Sequence, residues 1–184
     1  MDESPMIEKR TNSADSKTRV FAILGTGIFL FVAPGTVAGY IPWLIGKWQV
    51  HAPFFGFTAL RVMGALLIAV GFVILIEAFL RFALQGLGTP APVLPPKRLV
   101  VTGGYRFVRN PMYLAVLSLI LGQSLFFGDL RLAACGLGCW LVMHLFVLLY
   151  EEPTLRRLFA EDYAEFSAHV PRWIPRPTSW HECN

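Results

Sequence analysis

Four stretches of this chain are long and apolar, and they limit the fold more than any other feature. From Val20 to Gly46 there is no charged residue. Val62 to Ile76 is uncharged, and the run continues through Glu77 to Leu80. Met112 to Gly128 is uncharged, and Leu132 to Tyr150 carries only His144. A bilayer crossing takes roughly 17–25 apolar residues. In lipid every backbone polar group must be satisfied within the protein, which leaves helices as the solution for such runs. With 55% hydrophobic residues in 184, the chain is predicted to be an all-α integral membrane protein of about four transmembrane helices. Pro34-Gly35 and Pro42 make the first the least regular.

Basic residues set the orientation. Thirteen of the sixteen Lys and Arg precede the first span, lie between Arg81 and Arg109, or follow the fourth. Only Lys47, Arg61 and Arg131 remain for the other side. The positive-inside rule predicts both termini and the 81–111 loop in the cytoplasm, in an inner, plasma or endomembrane. The net charge of +4 is then a topology signal, and no nucleic acid partner is expected. Cys135 and Cys139, four apart on one helix face, read as packing residues, and no disulfide framework is implied. No metal-ligand cluster appears. Residues 1–19 are polar and predicted to be a disordered tail without a cleavable signal, so the first span stays as an anchor.

The connections differ in kind. Trp43, Trp48, Phe54, Phe55 and Phe57 fall in the outer connection and read as an interfacial aromatic belt. The cytoplasmic loop holds Gly86-Leu87-Gly88 and four prolines (Pro90, Pro92, Pro95 and Pro96), either a linker or a semi-rigid flap. Little more than Gly128-Asp129-Leu130 joins the third and fourth spans, which predicts a tight antiparallel hairpin. After Pro153, Thr154 to Val170 is amphipathic. Leu155, Leu158, Phe159, Phe166 and Val170 fall on or near one face, to lie along the membrane or pack on the loop before the third span.

Chemistry-bearing residues gather at the cytoplasmic ends. Asn110-Pro111 is a helix start: proline restricts the residue before it and suits the first helical position, and Asn is a good N-cap. The free N–H groups there attract anions, and Arg106 and Arg109 would help. The plainer reading is a capped membrane helix whose arginines meet lipid head groups. Glu151-Glu152 ends the fourth span, where the helix dipole disfavours carboxylates. The compensating partner is an arginine of the 81–111 loop, or a bound cation or ligand amine; alternatively the pair caps the helix that Pro153 begins. Glu77 and Arg81, at i and i+4, are an ion pair at the interface or a functional pair within the span. His144 either faces the same cavity as Glu151 or bonds to a neighbouring helix.

Val100-Val101-Thr102-Gly103-Gly104-Tyr105, then Arg109-Asn110-Pro111-Met112-Tyr113, then Glu151-Glu152 with Leu155, Phe159, Tyr163, Val170 and Pro171 resembles the isoprenylcysteine carboxyl methyltransferase family. More broadly it is similar to the membrane methyltransferases that include phospholipid N-methyltransferases. The resemblance covers about residues 85–176 of a single domain spanning 20–184. It implies an S-adenosylmethionine site formed by the loop before the hairpin, the hairpin ends and the C-terminal segment. By motif, its cofactor contacts would be Lys97, Arg98, Leu99, Val100, Tyr105, Asn110, Pro111, Met112, Tyr113 and Glu151, with Arg109, Glu152 and His144 the candidate catalytic residues. A lipophilic substrate would enter from the bilayer, with membrane lipids around it. Two departures stand out. Many members have His at the position of Asn110, and Asn cannot titrate. The eukaryotic enzymes carry a substrate-facing Arg where this chain has Val147, which argues against a prenylcysteine carboxylate. The rival functions are a nicotinamide-dependent membrane reductase of similar architecture and a non-enzymatic four-helix membrane protein.

Overall fold

A computed structural model describes residue 25 and residues 27–81 and 99–180. Among these it is all-helical. The main helices are α1 (Gly27–Gly46), α2 (Thr58–Arg81), α3 (Pro111–Phe127), α4 (Leu130–Phe146) and α5 (Glu152–His169). Helix α1, helix α2 and the continuous helix Leu130–His169 are long and apolar enough to cross a membrane, and α3 is a shorter apolar helix. The expected tail 1–19, the proline-rich flap, and Lys97, Arg98 and Cys183 lie outside the described residues.

Helix α3 is the centre of the bundle. Ala115, Val116, Leu119 and Ile120 are buried against Leu75 and Phe79 of α2 and Ala38 of α1, and Cys139 and Met143 of α4 pack on the same cluster. Small residues let α2 and α3 meet backbone to backbone. A Cβ at Gly64 would stand 2.6 Å from the Gly122 carbonyl oxygen, and one at Gly71 would stand 3.0 Å from that of Ala115. Close approach of this kind replaces the hydrophobic drive that is missing between helices in lipid. Outward faces carry large apolar side chains, Phe31, Phe72, Val73, Leu137 and Leu149 among them. So much exposed apolar surface is what a bilayer solvates and water does not.

The prolines do not end the helices. Thr36–Tyr40 is a π-helical turn just before Pro42. Pro42 has no N–H for the Ala38 carbonyl four residues back. The buried Gln123 of α3 supplies one instead, its Nε2 donating to Ala38 O at 2.6 Å. A second π-helical turn, Val147–Glu151, precedes Pro153. The expected break at Glu152-Pro153 is therefore absent: the wider turn accommodates the proline ring and α4 runs on into α5. Helix α5 kinks at Ala160, whose φ is 28°.

At the far end from α5 the hairpin between α3 and α4 forms as expected. Gly128 takes a left-handed conformation, φ 70°, and Asp129 caps α4 by accepting from the Arg131 N–H. The Arg131 guanidinium also pairs with Asp129 at 2.8 Å. That partner, acting first through its hydrogen bond, holds the Asp129 carboxyl below its usual range.

Candidate functional site

At the other end, the segment before α3 is built by close contacts. Gly103 has φ 56° and lies against the Glu77–Arg81 ion pair of α2, where a Cβ would collide with both side chains. Only glycine fits that conformation and that space. Gly104 rests on Pro111, 3.2 Å from its Cβ by the same measure. Glu77 and Arg81 thus anchor the turn that leads into α3. Burial first, then the carboxylates of Glu151 and Glu77, push the Tyr105 hydroxyl above its usual range, so it stays protonated.

The adjacent glutamates have separate partners. Glu152 is buried and held by two arginines: Arg172 Nε donates to its Oε1 at 2.6 Å and Arg109 Nη1 to the same oxygen at 3.2 Å. Arg172 Nη2 reaches Oε2 at 3.1 Å, and the Tyr163 hydroxyl accepts from Arg109 at 3.4 Å. Of the partners expected for the pair, a loop arginine serves Glu152. Glu151, within the π-helical turn, accepts from the Tyr113 hydroxyl at 3.0 Å and makes no ion pair among the described residues. The Arg109 Nε–H is buried with no hydrogen-bond partner among the described residues.

Asn110 stands at the start of α3 with φ −119°, the extended-side φ that Pro111 enforces, but its side chain makes no capping bond. Its amide donates to the Arg172 carbonyl at 3.1 Å instead. Among the described residues, the first turn of α3 is thus left without a side-chain cap.

The C-terminal segment closes the site. Pro171 O accepts from Arg109 N at 2.9 Å, Phe107 O from Arg176 N at 3.0 Å, and Arg106 O from Trp180 N at 3.1 Å. Beneath it, Tyr163, Phe166, Val170 and Trp180 form a second core with Leu99, Val101, Leu155 and Phe159 packed on it. Helix α5 therefore packs on the loop before α3, one of its two expected positions. Leu158 is exposed and is not part of that face, which holds Tyr163 instead. Trp173 lies between Tyr113, ring centroids 6.4 Å apart, and His144, 5.9 Å apart. Its indole N–H donates to His144 Nδ1 at 2.9 Å, and His144 stacks on Trp140. His144 is thus bonded to the C-terminal segment, and to no neighbouring helix among the described residues.

Of the residues expected from the sequence, Tyr105, Arg109, Asn110, Pro111, Tyr113, Glu151 and Glu152 come together around the start of α3. Met112 packs on the membrane core, Leu99 on the second core, and Val100 is buried. Sequence reasoning passed over Arg172, Trp173 and Tyr163 as site residues. An arginine and a tryptophan between two prolines after an amphipathic helix was the available signal for the first two.

A profile of the phospholipid methyltransferase family matches residues 59–162, from the start of α2 to the middle of α5. The chain belongs to the phospholipid methyltransferase family. It is accordingly a membrane methyltransferase, related to the isoprenylcysteine carboxyl methyltransferases. No curated protein and no solved structure matches it. The match includes Gly103-Gly104, the α3 start, Glu151 and Glu152, and stops before Arg172 and Trp173.

Proposed function

We propose that the chain transfers a methyl group from S-adenosylmethionine to a lipophilic acceptor held in the bilayer. One observation carries the reading. Among the described residues, the site offers a carboxylate without a cation, Glu151, next in sequence to the Glu152 that Arg109 binds, and a buried guanidinium N–H without an acceptor, Arg109 Nε. The amino acid end of the cofactor bears an ammonium and a carboxylate, which suit that pair of vacant partners. The uncapped α3 N-terminus adds preference for the carboxylate. The aromatic faces of Tyr105 and Tyr113 suit a sulfonium by cation–π attraction. When bound, the cofactor supplies an electrophilic methyl group.

The chain's own residues position and exclude water. Glu152, fixed by Arg109 and Arg172, ties α5 and the C-terminal segment to the start of α3 and keeps Arg109 in place. Its two arginine bonds make it a framework residue of the site rather than a proton carrier. Tyr113 orients Glu151. Methyl transfer of this kind is mostly a matter of alignment and desolvation. The acceptor comes sideways from lipid, and the site faces the cytoplasm by the distribution of basic residues.

Titration of the detergent-solubilised protein tests this, with S-adenosylmethionine in one series and NADPH in another. Saturable binding of the first alone is expected. NADPH binding without it would turn the assignment towards a reductase.

A further inference from the structure

Two consecutive residues of the C-terminal segment, Arg172 and Trp173, each join the start of α3 to the long helix Leu130–His169. Arg172 does so with polar bonds. Its carbonyl accepts from the Asn110 amide at 3.1 Å, and its guanidinium donates to Glu152 at 2.6 and 3.1 Å. Trp173 does so with its ring. One side lies against Tyr113, and the indole N–H donates to His144 Nδ1 at 2.9 Å. Trp140, one turn before His144, stacks on the imidazole at an interplanar angle of 11° and meets the Trp173 ring edge-on, centroids 6.3 Å apart. A direct bond joins the same two elements: the Tyr113 hydroxyl donates to Glu151 at 3.0 Å. On the long helix Glu151 falls between His144 and Glu152, so this bond is braced on both sides.

The brace at Arg172 fixes the backbone from which Trp173 projects. The bond to His144 then fixes the rotation of the indole, and the indole confines the Tyr113 ring by the edge-and-face contact that aromatic pairs prefer. A phenol oxygen lies in the plane of its ring, so the direction of the Tyr113 hydroxyl follows. We propose that Trp173 is a positioning residue with His144 as its support: together they hold Tyr113 so that its hydroxyl keeps the Glu151 carboxylate aimed at the amino group of the cofactor. This rests on the methyl-transfer reading above. It gives the single ionisable residue between Leu132 and Tyr150 a role, as a residue of that kind within a span usually has. His144 is then a hydrogen-bond acceptor for Trp173 and touches no reacting atom. Trp173 lies beyond the family match, which ends at residue 162.

Calorimetric titration of S-adenosylmethionine into the detergent-solubilised full chain tests this. Trp173→Phe keeps a ring and loses the N–H. His144→Phe keeps a ring and loses the acceptor, whereas His144→Asn keeps an acceptor near the place of Nδ1. Each Phe variant should bind about two- to tenfold more weakly, the worth of one neutral hydrogen bond. The two together should bind no more weakly than either alone, because they break one interaction. His144→Asn should recover most of the affinity. In a Tyr113→Phe background, which lacks the hydroxyl, Trp173→Phe should weaken binding no further. A residue that only supports the fold would weaken it by the same factor with or without that hydroxyl. That result, or wild-type affinity in Trp173→Phe, would overturn the proposal. The Tyr113 and Trp173 variants and their double form a second cycle without cofactor, read as melting temperature. The loss in the double should be smaller than the sum of the single losses, and additive losses would contradict the proposal. If wild type binds no S-adenosylmethionine while the melting temperatures are coupled, the methyl-transfer reading falls and the hold of Trp173 on Tyr113 stands.

Discussion

At the scale of single residues, two adjacent glutamates have opposite situations. Glu152 is buried between Arg109 and Arg172. Removing one member of a buried ion pair strands the others, at a cost of about 3–5 kcal/mol. Glu152→Gln is therefore expected to lower the melting temperature of the solubilised protein markedly without any ligand, as differential scanning fluorimetry would show. A variant as stable as wild type would remove Glu152 from the framework. Asn110→Ala should loosen the C-terminal segment, because the amide holds Arg172 O and caps nothing. Faster hydrogen exchange around residues 171–176, with the first turn of α3 unchanged, would show this; the reverse pattern would restore the capping role. The position of Asn110 before a proline was readable from local rules. The direction of its side chain was not, because its partner lies sixty-two residues away.

At the scale of elements, the apolar runs and the Gly128-Asp129 turn were legible, since each depends on local composition. The π-helical turns were not. They depend on whether a neighbouring helix can satisfy a carbonyl that proline leaves bare, as Gln123 does for Ala38. Gln123→Leu should cost about 1–3 kcal/mol by leaving that carbonyl unpaired. Thermal unfolding in detergent would measure it, and an unchanged midpoint would show that the π-helical turn satisfies Ala38 by itself. At the turn between α3 and α4, Asp129 has a depressed carboxyl with the Arg131 hydrogen bond as the first cause. A group with a lowered folded-state value stabilises above its unfolded value and loses that contribution as pH falls through the folded one. The melting temperature is expected to drop as pH falls below the ordinary carboxylate range, and Asp129→Asn should flatten that part of the profile. An identical acid profile in both proteins would count against the cap.

At the scale of the whole molecule, α3 is a buried axle whose N-terminal end is wrapped by α5 and the C-terminal segment. The residues that the resemblance singled out around the start of α3 do come together in the fold, and they lie within the stretch that the family profile matches. The partner of His144 was hidden, because Trp173 of the C-terminal segment had to return to a span. Orientation is testable by cysteine-accessibility labelling at positions 50 and 178, with reaction at 178 alone expected from the cytoplasmic side. Labelling of position 50 from that side would invert the topology. The account depends most on Glu151 receiving the cofactor. Calorimetric titration of S-adenosylmethionine into wild type and Glu151→Gln, with the melting temperature of each ligand-free protein, measures that directly. A hydrogen bond to a charged group is worth roughly 1.5–3 kcal/mol, so the variant should bind about 10- to 100-fold more weakly while melting no lower than wild type. Equal affinity in the two proteins, or a lower melting temperature with intact binding, would contradict the account.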